Sequence, residues 1–511
     1  VTVPVHPVGT RALLVDLPDL ASAMAWHASL SASPLPGQTD VGAAARTVLV
    51  RFGSTAAVEE ARGVLASYSP AEAAAATPRE VTIDVVYGGE DLDDLAEHLG
   101  MTRDALIDWH TSTTWVSAFG GFAPGFSYCV PQDPSRALQV PRRSSPRTAV
   151  PSGSVALAGD FSAVYPRTSP GGWQLIGTTT QPFWDATADD PALLGPGDLV
   201  RYRPVTEHVT VTGAATTPPV SGTRRPVLRL DEPGLQVLVE DAGRPGFGDL
   251  GVTTSGAADR GSAIAANEAL GNDRAAAVLE NIGGLTLTAL VETVVVVTGA
   301  VAPVTVDGRD RDRGVPLLLR AGAVLSVGGA TAGLRTYVGV RGGVVTESVL
   351  GSSATDLLSG LGPAPLEPGD TVYSGPASGS VATVSAAVRT DGVLRVVPGP
   401  RDDWFTEGVA ALTGTTWTVS GNSNRVGLRL DGPDDHEVTR SHDGELPSEG
   451  MIAGSVEIPP SGQPVLFLRD HAVTGGYPVI ATVIPEDLDA AAQLPPGAQV
   501  TFVLDTDQEL S

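Results

Sequence analysis

The sequence predicts a mainly β protein made of two related halves, with a small α+β domain in front. Three observations carry this. The 60 glycines and 41 prolines are spread along the chain rather than gathered in a low-complexity block, as short strands joined by tight turns require. One stretch is used twice. In the second half it is Ser448–Thr482, SEGMIAGSVEIPPSGQPVLFLRDHAVTGGYPVIAT, and in the first it is Val150–Thr178, VPSGSVALAGDFSAVYPRTSPGGWQLIGT. Gly153-Ser154-Val155 answers Gly454-Ser455-Val456, and Gly171-Gly172-Trp173 answers Gly475-Gly476-Tyr477, in the same order with a different loop length between. Finally, 511 residues exceed the roughly 250–300 at which a single core stops growing. Two related β bodies are expected, with function where they face each other.

Taken in order, residues 1–79 form the α+β domain. Asp19–Leu30 and Thr55–Tyr68 have helical periodicity and Arg46–Phe52 reads as a strand. His27, inside the first helix, has no partner at ligand spacing and reads as a packing residue. Residues 80–205 begin the first β body with the alternating run EVTIDVVYGG, followed by helices at Asp91–Leu99 and Arg103–Trp109, the second capped by Thr102. Phe119–Cys129, FGGFAPGFSYC, sets glycine and proline among four aromatic rings. Glycine lets backbone approach a ligand and rings give flat apolar walls, so Phe122, Pro124, Gly125, Phe126 and Tyr128 are candidate pocket residues; a loop plugging a barrel end is the other reading. Arg142, Arg143 and Arg147 either grip a carboxylate or phosphate or belong to an ordinary charged loop. Pro196–Arg203 is a closing turn and strand, and residues 206–225, rich in Thr, Pro and Gly, are the linker.

Residues 226–511 form the second region, with a split near 390. Strands at Val227–Leu230 and Leu235–Glu240 lead to the glycine-rich DAGRPGFGDLGVTTSG and a helix over Ala257–Leu270. Arg244 in the loop, Asp259 in the first helical turn and Asn267 within the helix are candidate ligand contacts, though a carboxylate at a helix start is also placed there by the helix dipole. Thr286–Val306 reads as strand after strand, and Arg335–Val345 as another, carrying Arg341 before two glycines. In Val419–Leu430, VSGNSNRVGLRL, Asn424 and Arg425 offer donors to an oxygen-rich ligand or mark an Asx turn. The repeated stretch follows, and Pro485–Leu510 closes the fold.

Composition removes several functions. The net charge is −26, and all 32 basic residues are arginine. Without lysine the chain has no attachment site for biotin, no Schiff-base lysine and no GxxxxGK[ST] phosphate loop. Without a basic run there is no footprint for nucleic acid or an anionic membrane. The single Cys129 allows no internal disulfide and no multi-cysteine zinc site, and no metal ligand set is picked out. VTVPVHPVGTRALLVD lacks a signal-peptide pattern, and the most apolar run, Val294–Val306, is too short and too broken to span a bilayer. A soluble cytoplasmic protein is expected.

These motifs carry a family resemblance. GFAPGFSY (Gly121–Tyr128), PRTAVPSGSVALAG and SPGGWQLIG resemble the allophanate hydrolase subunit 1 family, also called KipI or the B subunit of 5-oxoprolinase. DAGRPGFGDLGV, SGAADRGSAIAANEALGN, SNRVGLRL, SEGMIAGSVEIPPSGQPV and TGGYP resemble the subunit 2 family, KipA or the C subunit of 5-oxoprolinase. The chain resembles a fusion of the two, as in the carboxyltransferase region of urea carboxylase. The resemblance implies cyclophilin-like β-barrels and work on a small lactam or amide, with ATP-dependent opening of 5-oxoproline to glutamate beside a separate LamB/YcsF-like A subunit. It leaves the oligomeric state open, a homo-oligomer included. Where the family usually reads GFPY this chain has Gly125-Phe126-Ser127-Tyr128, and where it usually reads DRQTTGGYP this chain has Asp470-His471-Ala472-Val473-Thr474-Gly475-Gly476-Tyr477-Pro478.

Within the lactam reading, Asp470 or Glu449 positions a nucleophile or proton, Asp470 being otherwise a structural turn carboxylate, and His471 is the candidate acid or base, although the family often has a different residue there and a non-catalytic histidine is the favoured reading. Arg425 and Arg341 hold anionic oxygens, Asn424 donates to the carbonyl, and Gly475, Gly476 and Tyr477 line the substrate site. Two other readings stand beside it. One is a carboxyltransferase that takes carboxybiotin from another protein; the other is a KipI-type regulator of a histidine kinase, which needs no polar constellation.

Overall fold

The structure, a computed structural model, describes residues 3–70, 78–207, 223–442, 444 and 446–505. Its N-terminal part is a four-stranded antiparallel sheet in the order Val5–Val8, Ala12–Asp16, Thr47–Phe52, Gln38–Ala43. Helices Leu20–Ala32 and Thr55–Ala66 cover it, and Asp19 and Ser54 cap them by accepting from the amides of Ser22 and Ala57. Leu13, Val15, Val48 and Val50 point into its core against Trp26 and Leu65. Most of the linker expected at 206–225 falls on 208–222, outside the described residues.

Two closed seven-stranded barrels follow the repeat read from the sequence. The first uses Glu80–Tyr87, Trp115–Gly120, Ser127–Pro131, Ser154–Ala158, Phe161–Val164, Gln174–Thr178 and Leu199–Pro204. The second uses Val393–Pro398, Thr416–Val419, Gly427–Asp431, Ser455–Glu457, Val465–Phe467, Val479–Val483 and Gln499–Leu504. With strands counted along each barrel, both close in the order 5-3-2-7-1-6-4. In both, the first and last strands are parallel.

The likeness extends to single residues. Trp115 and Trp417, both fully buried on the second strand, each donate the indole N–H at 3.0 Å to a carbonyl five residues earlier, His110 and Leu412. Truncating either side chain is expected to cost about 3–5 kcal/mol. Gly153 and Gly454 both have positive φ (81° and 98°) and pack against backbone at the end of the sixth strand, Thr179 and Val483, so the repeated Gly-Ser-Val is a turn only glycine makes easily. Each barrel also carries a two-stranded ribbon at one end, Arg147–Val150 with Ser169–Gly171 and Glu449–Gly450 with Thr474–Gly475.

Between the barrels in sequence lie a six-stranded and a five-stranded sheet over Arg225–Ser374 that share a core of Val227, Leu279, Leu287, Val297 and Leu325. Helix Arg260–Leu270 lies on the five-stranded sheet and ends at Gly271 in the left-handed conformation. Thr286–Val306, expected as strand after strand, holds parts of three: Leu285–Ala289, Thr293–Val301 and Val304–Val306. Among the described residues no helix is long and apolar enough to cross a membrane.

Candidate functional site

A cavity of about 480 Å3 opens between the two barrels and is lined by residues of both. The first barrel contributes Phe122, Phe126, Tyr128, Tyr165, Trp173 and Arg142; the second contributes Arg440, Ser448, Thr474, Gly475, Gly476 and Tyr477. The aromatic wall is pinned by edge-on contacts: Phe126 packs against Tyr165, Trp173 and Tyr128 with centroids 5.0–5.6 Å apart. Phe122 takes φ 63°, an uncommon conformation for a bulky residue, and its ring faces the cavity. Burial pushes the phenols of Tyr128 and Tyr165 up to about 12, although the Arg142 guanidinium pulls the other way. Both therefore stay neutral and can donate hydrogen bonds. Arg142 is exposed and makes no ion pair among the described residues.

Behind the Gly475-Gly476-Tyr477 segment lies Glu457, 5% exposed, at the end of the fourth strand. Its Oε1 accepts from the Tyr477 amide at 3.0 Å. Gly475 has no positive φ; it is glycine for space, because a Cβ there would lie 2.5 Å from Glu457 Oε1 and 2.9 Å from the Met451 sulfur. Burial pushes Glu457 up to about 7, against the pull of the Tyr477 amide and the Arg440 guanidinium. Sequence reasoning missed Glu457 and Arg440. The available signal was a lone carboxylate inside the apolar run Val456-Glu457-Ile458.

Of the residues singled out from sequence, Phe122, Phe126, Tyr128, Gly475, Gly476 and Tyr477 line this cavity. Arg142 also lines it, whereas the others are placed elsewhere. Gly125 has φ 76° and donates its amide to Leu250 O, which sets the aromatic loop, Pro124 included, against the second half. Arg147 pairs with Asp91 at 2.9 Å and Glu90 at 3.0 Å. The second barrel carries the reversed pair, Glu449 with Arg401, the Nε to Oε1 distance being 2.9 Å; Arg401 also reaches Asp16 of the N-terminal sheet. Both pairs brace a ribbon, and Glu449, expected to position a nucleophile or proton, is engaged in that brace. Arg341 lines a separate cavity and donates to Leu270 O and Gly379 O. The Asn424 side-chain oxygen accepts from the amides of Val426 and Gly427, an Asx turn, and the residue does not line the cavity.

Asp470 and Arg425 do come together, but sealed from solvent. Arg425 Nε donates to Asp470 Oδ2 at 3.0 Å, and its other nitrogens reach Glu280, Glu240 and Gly256 O. Ser255 donates to Asp470 Oδ1 at 2.7 Å and the Leu357 amide to Oδ2 at 3.1 Å. Arg425 is 2% exposed and Asp470 0%, so the cluster welds the second barrel to the two-sheet body and does not reach the cavity. Burial pushes Glu240 well above the usual carboxylate range. Burial alone would lower Arg425, but the charges of Asp470, Glu240 and Glu280 outweigh it and hold the guanidinium firmly cationic. His471, expected as an acid or base, is buried beside Thr253, and burial drops it to about 3, so it is a neutral packing residue near neutral pH.

The glycine-rich loop and the helix after it do not fit a nucleotide. Arg244 is buried and donates to Ala354 O. Asp259 is the N-cap rather than a first-turn residue, holding the Ser262 amide at 2.9 Å, while Asp489 takes the amides of Arg260 and Gly261 at 2.9 Å each. Protein carboxylates thus occupy the positions a phosphate would need. Asn267 ties the helix to Ala276 O at 2.7 Å. The glycines serve the joint between the halves: Gly251 packs against Ala123 O, and Asp249 receives His27 at 2.7 Å, which gives the packing histidine its partner.

The comparisons agree with this architecture. Residues 3–194 match the model of the carboxyltransferase domain, subdomain C and D, and residues 250–504 that of subdomain A and B. The chain is 33% identical over 290 residues to the 5-oxoprolinase C subunit of Escherichia coli K12, covering 54% of this chain and 91% of that protein. It is 36% identical over 201 residues to the 5-oxoprolinase B subunit of Escherichia coli O157:H7, covering 38% and 83%. Urea amidolyase of Saccharomyces cerevisiae is 31% identical over 299 residues, 53% of this chain but 16% of that much longer protein. The crystal structure of TTHA0988 superposes with a TM-score of 0.83 at 32% identity over 96% of this chain and 99% of that one. Shared barrels, shared motifs and matches to both halves show that this chain belongs to the carboxyltransferase-domain family, with the C and D part and the A and B part joined in one polypeptide.

Proposed function

We propose that the chain is the substrate-holding component of an amidohydrolase that opens a small lactam, 5-oxoproline being the first choice, and that a separate protein supplies the ATP-dependent activation. The observation that carries this is the cavity between the barrels. It offers flat aromatic faces for a planar amide, neutral phenols for its carbonyl, and guanidinium groups of Arg142 and Arg440 for a carboxylate. Similarity to the B and C subunits of 5-oxoprolinase over both halves supports the same reading. The poor fit of the glycine-rich loop to phosphate favours nucleotide binding on the partner. The test is ATP-dependent glutamate release from 5-oxoproline by the purified chain, with and without a LamB/YcsF-like protein from the same genome. Release only from the mixture is expected. None from a mixture shown to be folded and complexed contradicts the proposal.

A second reading, carboxyl transfer from a carboxybiotin carried by another protein, is favoured by the family's description and by the similarity to urea amidolyase. The two differ in a simple observable: carboxyl transfer consumes carboxybiotin and releases no glutamate.

A further inference from the structure

Opening an amide requires a group that can give up a proton near neutral pH at the place where the bond breaks. The side chains on the cavity surface do not supply one. Tyr128 and Tyr165 hold their protons to about pH 12, and Ser448 and Thr474 carry hydroxyls that do not titrate. The exception lies one layer behind the wall. Gly475 has no side chain where Glu457 comes forward, and the Tyr477 amide fixes one of its carboxyl oxygens. The other oxygen, Oε2, makes no hydrogen bond among the described residues.

We propose that Glu457 carries the proton for the reaction in this cavity, passing it to the substrate's amide nitrogen as the C–N bond opens, with Arg440 stabilising the carboxylate left behind. This rests on the lactam-opening reading. The partner's ATP-dependent step places a phosphoryl group on the lactam oxygen. A water oxygen then bonds to that carbon, the C–N bond breaks with its electron pair going to nitrogen, and nitrogen takes a proton from Glu457, which regains it from the water. The acyl phosphate left behind is hydrolysed by a second water, so two waters are consumed, phosphate is released and Glu457 is restored.

The charged and titratable groups facing Glu457 are few. Arg440 lies near enough to act through its charge, and its own guanidinium donates to Ile458 O. The Tyr477 ring lies over that guanidinium at 5.7 Å. On the flanking strands Glu457 is registered with Val465 and Val479, and the ribbon brings the Met451 sulfur, so its other neighbours are apolar or uncharged. Burial therefore dominates, and the acid is half protonated near pH 7.

The chain has eight tyrosines, so [15N]tyrosine labelling gives a spectrum of at most eight backbone amides, and Tyr477→Phe identifies the one bonded to Glu457. Between pH 5 and 9 that amide is expected to shift with a midpoint near 7 in the wild type, to stay flat in Glu457→Gln, and to move when 5-oxoproline is added. In the reconstituted assay kcat should fall as pH rises above about 7, and Glu457→Gln should lose at least 100-fold in kcat with its melting temperature unchanged, because the amide oxygen still accepts from Tyr477. A Tyr477 signal that does not titrate in the wild type, or a Glu457→Gln enzyme with the wild-type kcat and pH profile, overturns the assignment of Glu457. Absence of glutamate from the wild-type mixture sinks the reaction itself, and the titration, read on the chain alone, tells the two failures apart.

Discussion

Gly475 and Gly476 are adjacent, both line the cavity and both have an ordinary φ, yet the structure assigns them opposite responses to an added methyl group. A Cβ at position 475 would lie 2.5 Å from Glu457 Oε1 and 2.9 Å from the Met451 sulfur, whereas one at 476 meets nothing within 4 Å. Glu457 and Met451 are 5% and 1% exposed, so neither can swing clear into solvent. For Gly475→Ala the carboxyl must withdraw from the Tyr477 amide, and a buried hydrogen bond of this kind is worth about 0.5–1.5 kcal/mol. The added methylene volume raises the cost to about 1–3 kcal/mol. For a unit the size of the second half, that is a fall in melting temperature of about 2–12 °C. Gly476→Ala should stay within about 0.5 kcal/mol of the wild type. Thermal unfolding followed by tryptophan fluorescence, with both variants and the wild type in parallel, checks the pair. Equal melting temperatures for the two variants would refute the placement of Glu457 behind Gly475.

Arg425→Met leaves Glu240, Glu280 and Asp470 buried without their cation, at a cost of about 3–5 kcal/mol, and should lower the urea midpoint of the second half sharply; a midpoint at the wild-type value contradicts the buried weld. Arg142→Ala removes an exposed guanidinium with no ion pair among the described residues, so stability should be unchanged while an anionic ligand binds about 10–100-fold more weakly by calorimetry, the loss of one charge-assisted hydrogen bond of about 1.5–3 kcal/mol. His471 titrates near 3 when folded against 6.5 when unfolded, so the unfolded chain binds the extra proton between those values. The stability it contributes is complete above pH 6.5 and is lost as pH falls toward 3, by up to about 1.4 kcal/mol per pH unit. His471→Asn should therefore flatten the acid limb of stability measured by urea unfolding from pH 4 to 7, and an unchanged slope would show that His471 is not buried neutral.

The repeat was legible because turns and close approaches restrict residue type. Gly153 and Gly454 need positive φ, and a Gly-Gly-aromatic segment must follow the fifth strand of each barrel to line the cavity. The aromatic loop was legible for the same reason, since Phe122, Phe126 and Tyr128 crowd a short segment and can all be buried only against partners such as Tyr165 and Trp173. Polar roles were read less well. Asp470 and Arg425 carry the residue types of a reaction centre, but the same types satisfy one another in a sealed joint, and only the fold shows that Ser255 and Leu357 close over them. Glu457 fails in the opposite sense. Its carboxyl packs behind the cavity wall in the space left by a glycine 18 residues later, a relation across the ribbon that neither residue discloses alone.

The most direct test of the central claim, that reaction takes place between the two barrels, is to fill that space without disturbing the fold. Gly476→Trp places a large ring where a Cβ meets nothing within 4 Å and the cavity lies open. Glutamate release from 5-oxoproline by the variant mixed with the ATP-using partner should fall at least 100-fold while its melting temperature stays at the wild-type value. Wild-type release from a folded Gly476→Trp protein would place the reaction elsewhere.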